Sequence, residues 1–120
     1  MNKLYVLESI EDNEGIAIAK ISLIKDHEVF RGHFPDNPIL PGVCTVQIIK
    51  ELMTRVCDRE LQLTKAGNIK YISFINPRVD NMVLLELSYN YLGEGRISCS
   101  ARVYSEHTTF CSFKGEFQEI

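Results

Sequence analysis

The second half of the chain alternates between apolar and polar residues with the period of two that is typical of half-buried β-strands. In one segment Glu86, Ser88 and Asn90 separate the apolar positions, and the same pattern recurs twice before the chain ends. The apolar positions of the three segments are Val83, Leu85, Leu87, Tyr89 and Tyr91; Ile97, Cys99, Ala101 and Val103; and Cys111, Phe113 and Phe117. Segments of turn composition, Gly93-Glu94-Gly95 and Ser105-Glu106-His107, lie between them. We therefore expect three antiparallel strands with one buried face.

The first half predicts two more strands and a long helix. The apolar stretches Leu4–Ile10 and Ile16–Ile24 are separated by a polar, glycine-ended segment that favours a hairpin turn. From Val43 to about Arg59 no proline or glycine occurs, and apolar residues recur every three or four positions, which predicts a largely buried helix. These positions are Val43, Val46, Ile49, Met53 and Val56, with Cys44, Ile48 and Leu52 beside them. Ile69–Ile75 is apolar on both sides and predicts a strand covered on both faces.

The order of elements is strand, strand, loop, helix and four strands, which is an α+β arrangement. We expect a single domain, residues 1–120, in which a curved antiparallel sheet of about six strands wraps one long central helix. Such a sheet leaves an edge strand uncovered. Edge-to-edge pairing of two sheets would cover it, so the pattern favours a homodimer.

Composition excludes several classes of function. The chain has 120 residues with 13 basic and 16 acidic side chains, a net charge of −3 that argues against nucleic-acid binding. No apolar run approaches the length of about 18 residues that a membrane helix needs, and no signal peptide is evident, so we expect a cytoplasmic protein without membrane contact. The cysteines form no C-x-x-C pair and the three histidines are scattered, so we expect reduced thiols and no metal site.

A proline-rich segment carries the most specific motif. Three prolines and two glycines between Phe30 and Gly42 exclude a regular helix and a central strand. From His27 to Val43 the sequence reads HEVFRGHFPDNPILPGV. It resembles the H-x-x-F-x-G-H-F-P-x-x-P-I-L-P-G-V signature of the β-hydroxyacyl-(acyl-carrier-protein) dehydratases, whose fold is the hot-dog. The resemblance extends more weakly through Ile69–Arg78 and Phe113–Phe117 to essentially the whole domain.

The resemblance implies dehydration of a (3R)-3-hydroxyacyl thioester to a trans-2-enoyl thioester, without a cofactor, in fatty-acid or polyene biosynthesis. By position His33 is the base for the C2 proton, and the Gly42 N–H, at a helix start, polarises the thioester oxygen. Val43, Phe34 and Ile39 are expected to bind substrate. The alternatives are that Gly42 only begins the helix, and that Phe34 and Ile39 belong to the core.

The family places a Glu or Asp one turn into the helix, usually from the partner subunit, where this chain has Gln47. An amide has no useful pKa for proton transfer, so Gln47 does not replace the acid directly. Glu51 lies one turn further along the same helix face. Our hypothesis is that Glu51 supplies the acid through Gln47 or a water; the alternative is that it only pairs with Arg55.

The implied partners are an acyl carrier protein with a phosphopantetheine-linked acyl chain and a second subunit, identical or related. Arg55, Arg59, Lys70 and Arg78 are candidate docking residues for an acidic carrier. Two other functions stay open. One is a hot-dog thioesterase, in which a carboxylate activates water against the same thioester. The other, favoured by Gln47, is a catalytically silent subunit that binds acyl chains or completes a heterodimer.

Overall fold

A single sheet curves around one α-helix in the computed structural model, which describes residues 3–31 and 38–120. The helix, α1, spans Gly42–Cys57 and follows a short 3₁₀ turn at Glu28–Phe30. The six strands of the described residues are β1 Tyr5–Asn13, β2 Ile16–Leu23, β3 Leu61–Tyr71, β4 Met82–Gly93, β5 Arg96–Tyr104 and β6 Thr109–Glu119. This α+β architecture confirms the predicted one.

All strand pairs are antiparallel, in the order β1-β2-β4-β5-β6-β3. Two hairpins close with residues in the left-handed region: Glu14 and Gly15 between β1 and β2, and Glu94 and Gly95 between β4 and β5. Two consecutive positive φ angles make a type I′ turn, whose twist matches that of the flanking strands. In the strand order given above β1 and β3 are outermost, so they are the two edges of the sheet.

The helix packs one side into the concave face of the sheet. Its buried residues are Thr45, Ile48, Ile49, Leu52, Met53 and Cys57. They meet the inward residues of the strands, among them Leu85, Leu87, Phe113 and Phe117. The prediction that Val43 belongs to the buried side of the helix is wrong. Val43 is 76% exposed in the first turn, where Thr45 is the buried residue instead.

The segment after the helix differs from its prediction. β3 begins at Leu61, well before the predicted start at Ile69. The prediction missed this part because its strand structure depends on pairing with the distant strand β6, which no local pattern indicates. It ends at Tyr71, and the predicted strand covered on both faces is wrong. At the end of this edge strand and just beyond it, Tyr71, Ile72 and Phe74 are 55%, 55% and 76% exposed. An apolar surface, defined by these three residues, therefore lies at one edge of the sheet.

Candidate active site

The start of α1 offers backbone N–H groups. Pro41 precedes the helix and provides no side-chain cap. The Cys44 N–H donates to the Pro41 carbonyl at 2.9 Å, and the Thr45 N–H to the same oxygen at 3.3 Å. Gly42 and Val43 precede these first helical donors, so their N–H groups stand at the positive end of the helix dipole. This end of the helix is suited to an oxygen that gains negative charge.

A cavity of about 560 Å³ surrounds Gly42. Ile39, Phe74 and Phe110 contribute apolar walls, and the Tyr71 ring lies against the helix start. Burial, and to a smaller extent the Cys111 thiol, raises the pKa of Tyr71, so its hydroxyl stays protonated at neutral pH. The cavity combines an apolar lining with hydrogen-bond donors at one end, as an acyl thioester requires.

A second cavity, of about 570 Å³, lies between α1 and β1 and contains Gln47 and Glu51. The Gln47 amino group donates to Oε2 of Glu51 at 3.1 Å. The Tyr5 hydroxyl, from β1, donates to Oε1 of the same carboxylate at 2.7 Å. No ion pair joins Glu51 to Arg55 within the described ranges, although Arg55 lines this cavity. Glu51 is therefore engaged by Tyr5 and Gln47, not by Arg55.

Burial is the main cause that raises the pKa of Tyr5 above its ordinary value. The hydrogen bond to Glu51 and the charge of that carboxylate raise it further, while the Arg55 charge opposes them. Tyr5 therefore remains a neutral hydrogen-bond donor across the physiological range. Sequence reasoning missed Tyr5, since nothing local relates it to a residue 46 positions away.

The two cavities lie on different sides of α1. At 3.6 residues per turn, Gln47 is rotated by about 140° from Gly42 and Glu51 by about 180°. The single chain thus brings Gln47 and Glu51 together, and Ile39 together with Gly42, but does not bring the two groups into one cavity. Val43 is on the Gln47 side and lines neither cavity.

The predicted base His33 and the predicted binding residue Phe34 lie outside the described residues. The chain on either side of them is anchored. Before the gap, His27 Nδ1 accepts from the Val29 N–H at 3.0 Å, and Phe30 is buried. After it, the Leu40 N–H donates to the Ile75 carbonyl at 2.8 Å.

Metal ligands are not clustered in the part of the chain that the structure describes. No group of three or more His, Cys, Asp or Glu side chains is placed to hold an ion there. Cys44, Cys57, Cys99 and Cys111 are free thiols. No described helix is long and apolar enough to cross a membrane.

Comparison with known families decides the relationship. The family model described as ApeI dehydratase matches residues 9–114. The chain belongs to the ApeI dehydratase family. The match includes the proline-rich segment and all of α1, and so confirms the relationship to hydroxyacyl dehydratases that the motif predicted.

Individual proteins with similar sequences are also named as dehydratases. The 3-hydroxyacyl-[acyl-carrier-protein] dehydratase FabZ of Zymomonas mobilis is 32% identical over 91 residues, which cover 72% of this chain and 57% of that protein. FabZ of Agrobacterium fabrum is 35% identical over 71 residues, covering 59% and 44%. The chain thus spans about half the length of the curated relatives it matches.

Solved structures share the hot-dog fold, which confirms that prediction. The dehydratase heterocomplex ApeI:P from Xenorhabdus doucetiae matches with a TM-score of 0.81 at 19% identity, over 96% of this chain and 98% of that one. A hypothetical thioesterase from Streptococcus pneumoniae, solved with coenzyme A, has a TM-score of 0.67 at 11% identity, covering 97% and 85%. Members of this fold therefore include proteins described as dehydratases and as thioesterases.

Proposed function

We propose that the chain removes water from (3R)-3-hydroxyacyl thioesters carried on an acyl carrier protein, giving trans-2-enoyl thioesters, in fatty-acid or polyene biosynthesis. The observation that carries this proposal is the ApeI dehydratase family match over residues 9–114. The FabZ relatives, named as dehydratases of carrier-bound 3-hydroxyacyl groups, support the substrate class. Such a substrate is met in the cytoplasm, where we place the protein.

The reaction needs a base and donors for the thioester oxygen. We assign the base to His33, whose imidazole takes the C2 proton. The Gly42 N–H stabilises the negative charge that develops on the thioester oxygen as the C2–H bond breaks. Neither step uses a metal or a cofactor.

The hydroxyl then leaves C3 with a second proton as water. We assign this proton to Glu51, relayed by a water that lies beside Gln47. The Gln47 amino group already donates to Glu51, so a relay through the amide itself is disfavoured. As the C3–O bond breaks the C2–C3 double bond forms, and the proton held by His33 restores Glu51 through solvent.

We place the acyl chain in the cavity at the helix start. Its apolar lining, including Ile39, supports this placement. By the motif, Phe34 also binds the acyl chain, whereas Val43 lines neither cavity and is not assigned to this surface.

A complete site requires a second subunit. Gly42 and Glu51 lie on opposite sides of one helix. The partner must therefore bring its residues 47 and 51 to the cavity beside Gly42 of the first subunit. The exposed apolar surface formed by Tyr71, Ile72 and Phe74 at the β3 edge supports a two-fold dimer. Because residue 47 is glutamine, a related subunit with a carboxylate there is the second candidate partner. The structure from Xenorhabdus doucetiae is described as a dehydratase heterocomplex.

Docking of an acidic carrier needs basic side chains near the openings of the cavities. Arg55 lines the second cavity, and Lys70 is exposed on the edge strand β3. Arg59, in contrast, already forms an ion pair with Glu119 at 2.9 Å. Arg55 and Lys70 are therefore stronger docking candidates than Arg59, and Arg78 stays a candidate beside them.

The test is hydration of a crotonyl or longer enoyl carrier-protein thioester by the purified chain. We expect formation of the 3-hydroxy product, lost in His33→Ala and kept in the matched control His107→Ala, whose side chain is exposed in a hairpin turn. Release of free carrier protein would overturn the proposal in favour of a thioesterase. Absence of turnover at every chain length, from folded protein, would indicate the silent acyl-binding or heterodimer subunit.

A further inference from the structure

The Glu51 carboxylate connects two elements that are distant in sequence. One oxygen accepts from the Tyr5 hydroxyl on β1 at 2.7 Å, and the other from the Gln47 amino group on α1 at 3.1 Å. The hydrogen bond from Tyr5 is short and partly buried, while the one from Gln47 is exposed. The Tyr5 bond is the shorter and the more buried of the two, so it is well suited to fix the Glu51 side chain in place.

Tyr5 is a reliable donor because it does not ionise at neutral pH. Burial raises its pKa, and the neighbouring Glu51 carboxylate adds to the shift. The groups that face it are Glu51 and Arg55 from α1, and Lys3 lines the same cavity. The phenol therefore keeps its proton for Glu51.

A fixed Glu51 determines how Gln47 is oriented. A carboxylate accepts hydrogen bonds, so it selects the amino end of the amide and not the carbonyl end. The carbonyl oxygen Oε1 is then the end of the amide left to accept a hydrogen bond from another group. Gln47 is exposed, so this acceptor is accessible.

We propose that Tyr5 is a positioning residue, which acts through Glu51 to hold Gln47 with its carbonyl oxygen toward a substrate bound at the helix start of the partner subunit. This inference rests on the proposed function and deepens it. The carbonyl oxygen accepts from the hydrogen of the 3-hydroxyl or from the relaying water. Without Tyr5, Glu51 has more freedom, its contact with Gln47 is made less often, and the hydroxyl is held less well in the transition state.

Kinetics of Tyr5→Phe test this role in the reaction. We expect kcat to fall about tenfold with KM unchanged, the upper end of the effect of one lost hydrogen bond made in the transition state. Tyr104→Phe is the matched control, because Tyr104 is also partly buried but packs under Arg102 and does not line the cavity. The double variant Tyr5→Phe/Glu51→Gln should match Glu51→Gln within about twofold, since Tyr5 acts only through Glu51. Additive losses, or an unchanged kcat in Tyr5→Phe, would overturn the positioning role.

A second measurement does not depend on turnover. The side-chain amide signals of ¹⁵N-labelled protein distinguish Gln47 from Gln62 and Gln118, with Gln47→Ala for assignment. Tyr5→Phe should shift the Gln47 amide signals and leave the other two in place. Unmoved Gln47 signals would refute the inference even if the enzyme is active. An inactive wild type with shifted Gln47 signals would instead refute the proposed function and support the positioning of Gln47 by Tyr5.

Discussion

Tyr71 covers Gly42 so closely that a Cβ atom at position 42 would lie 2.6 Å from the Cζ atom of its ring. Real Cβ atoms do not approach other atoms to this distance, so only glycine fits beneath the ring as it stands. The obstacle is the outer end of an exposed side chain, which is free to swing aside. Mutations can therefore separate two effects of a side chain at position 42: its collision with the Tyr71 ring, and its obstruction of a ligand that approaches the Gly42 N–H.

Gly42→Ala should lower activity at least about tenfold and change the free energy of unfolding by less than about 1 kcal/mol. Alanine has the higher helix propensity, which offsets the displacement of Tyr71. The methyl group blocks the approach of a thioester oxygen to the helix start, so activity falls. Turnover assays and urea denaturation measure the two effects.

Tyr71→Ala combined with Gly42→Ala provides the control. Removal of the ring relieves its conflict with the new methyl group. Activity that stays low in the double variant would therefore be caused by the methyl group obstructing the N–H. Full recovery in the double variant would assign Gly42 to helix entry and packing alone.

The sequence predicted most of the fold because its strongest patterns are local. The alternation from Val83 onward and the uninterrupted helix each depend on neighbours within a few residues. The edge strand β3 was predicted too short, since the polar stretch from Thr64 to Asn68 has no strand pattern and its pairing with β6 depends on residues far along the chain. The apolar run at Ile69–Ile75 indicated burial, but Tyr71, Ile72 and Phe74 are exposed in the single chain.

The site was predictable to the extent that it follows helical spacing. Gln47 and Glu51 are four residues apart, and their contact follows from that spacing. The bond from Tyr5 to Glu51 requires the path of β1 around the helix, which no local pattern gives. The assignment of His33 as base stays a prediction, because it rests on the motif alone.

Gln47→Glu should raise the rate of dehydration and add a pH dependence. The new carboxyl group would lie near the Glu51 carboxylate, where the amide nitrogen now lies at 3.1 Å. Two carboxylates this close share a proton, so one apparent pKa of the pair is raised. The protonated form is the acid for the departing hydroxyl, and it is lost as the pH rises through that value. Dehydration should therefore gain about tenfold or more at low pH and decline toward high pH.

The matched control for this variant is Gln62→Glu, on the exposed side of β3. It changes the net charge equally but lies on β3, outside the lining of the cavity that contains Glu51. A pH profile for Gln47→Glu that parallels this control would show that residue 47 does not take part in proton transfer.

Cys99 should make the fold sensitive to alkali. Burial, with a smaller contribution from Cys57, raises the pKa of the Cys99 thiol from 9.0 to about 12. The folded state then binds this proton more tightly than the unfolded state, so the stabilisation is full below about pH 9 and is lost as the pH rises toward 12. The loss amounts to at most about 4 kcal/mol. Urea denaturation between about pH 7 and about pH 11 should show a shallower decline for Cys99→Ala than for the wild type. Equal slopes would contradict this account.

Phe74→Glu should convert the proposed dimer into monomers. Phe74 is 76% exposed beside the β3 edge, where a carboxylate in an apolar interface would be left unpaired. Leu92→Glu is the matched control, because Leu92 is also exposed but lies near the β4–β5 turn, away from both sheet edges. Sedimentation velocity measures the assembly state, and the turnover assay shows whether activity is lost with it. Because Phe74 also lines the cavity at the helix start, loss of activity in this variant follows from either dissociation or the altered cavity, and the assembly state is the outcome that tests the dimer. A monomer that keeps full activity would instead place the whole reaction within one chain and refute the shared site.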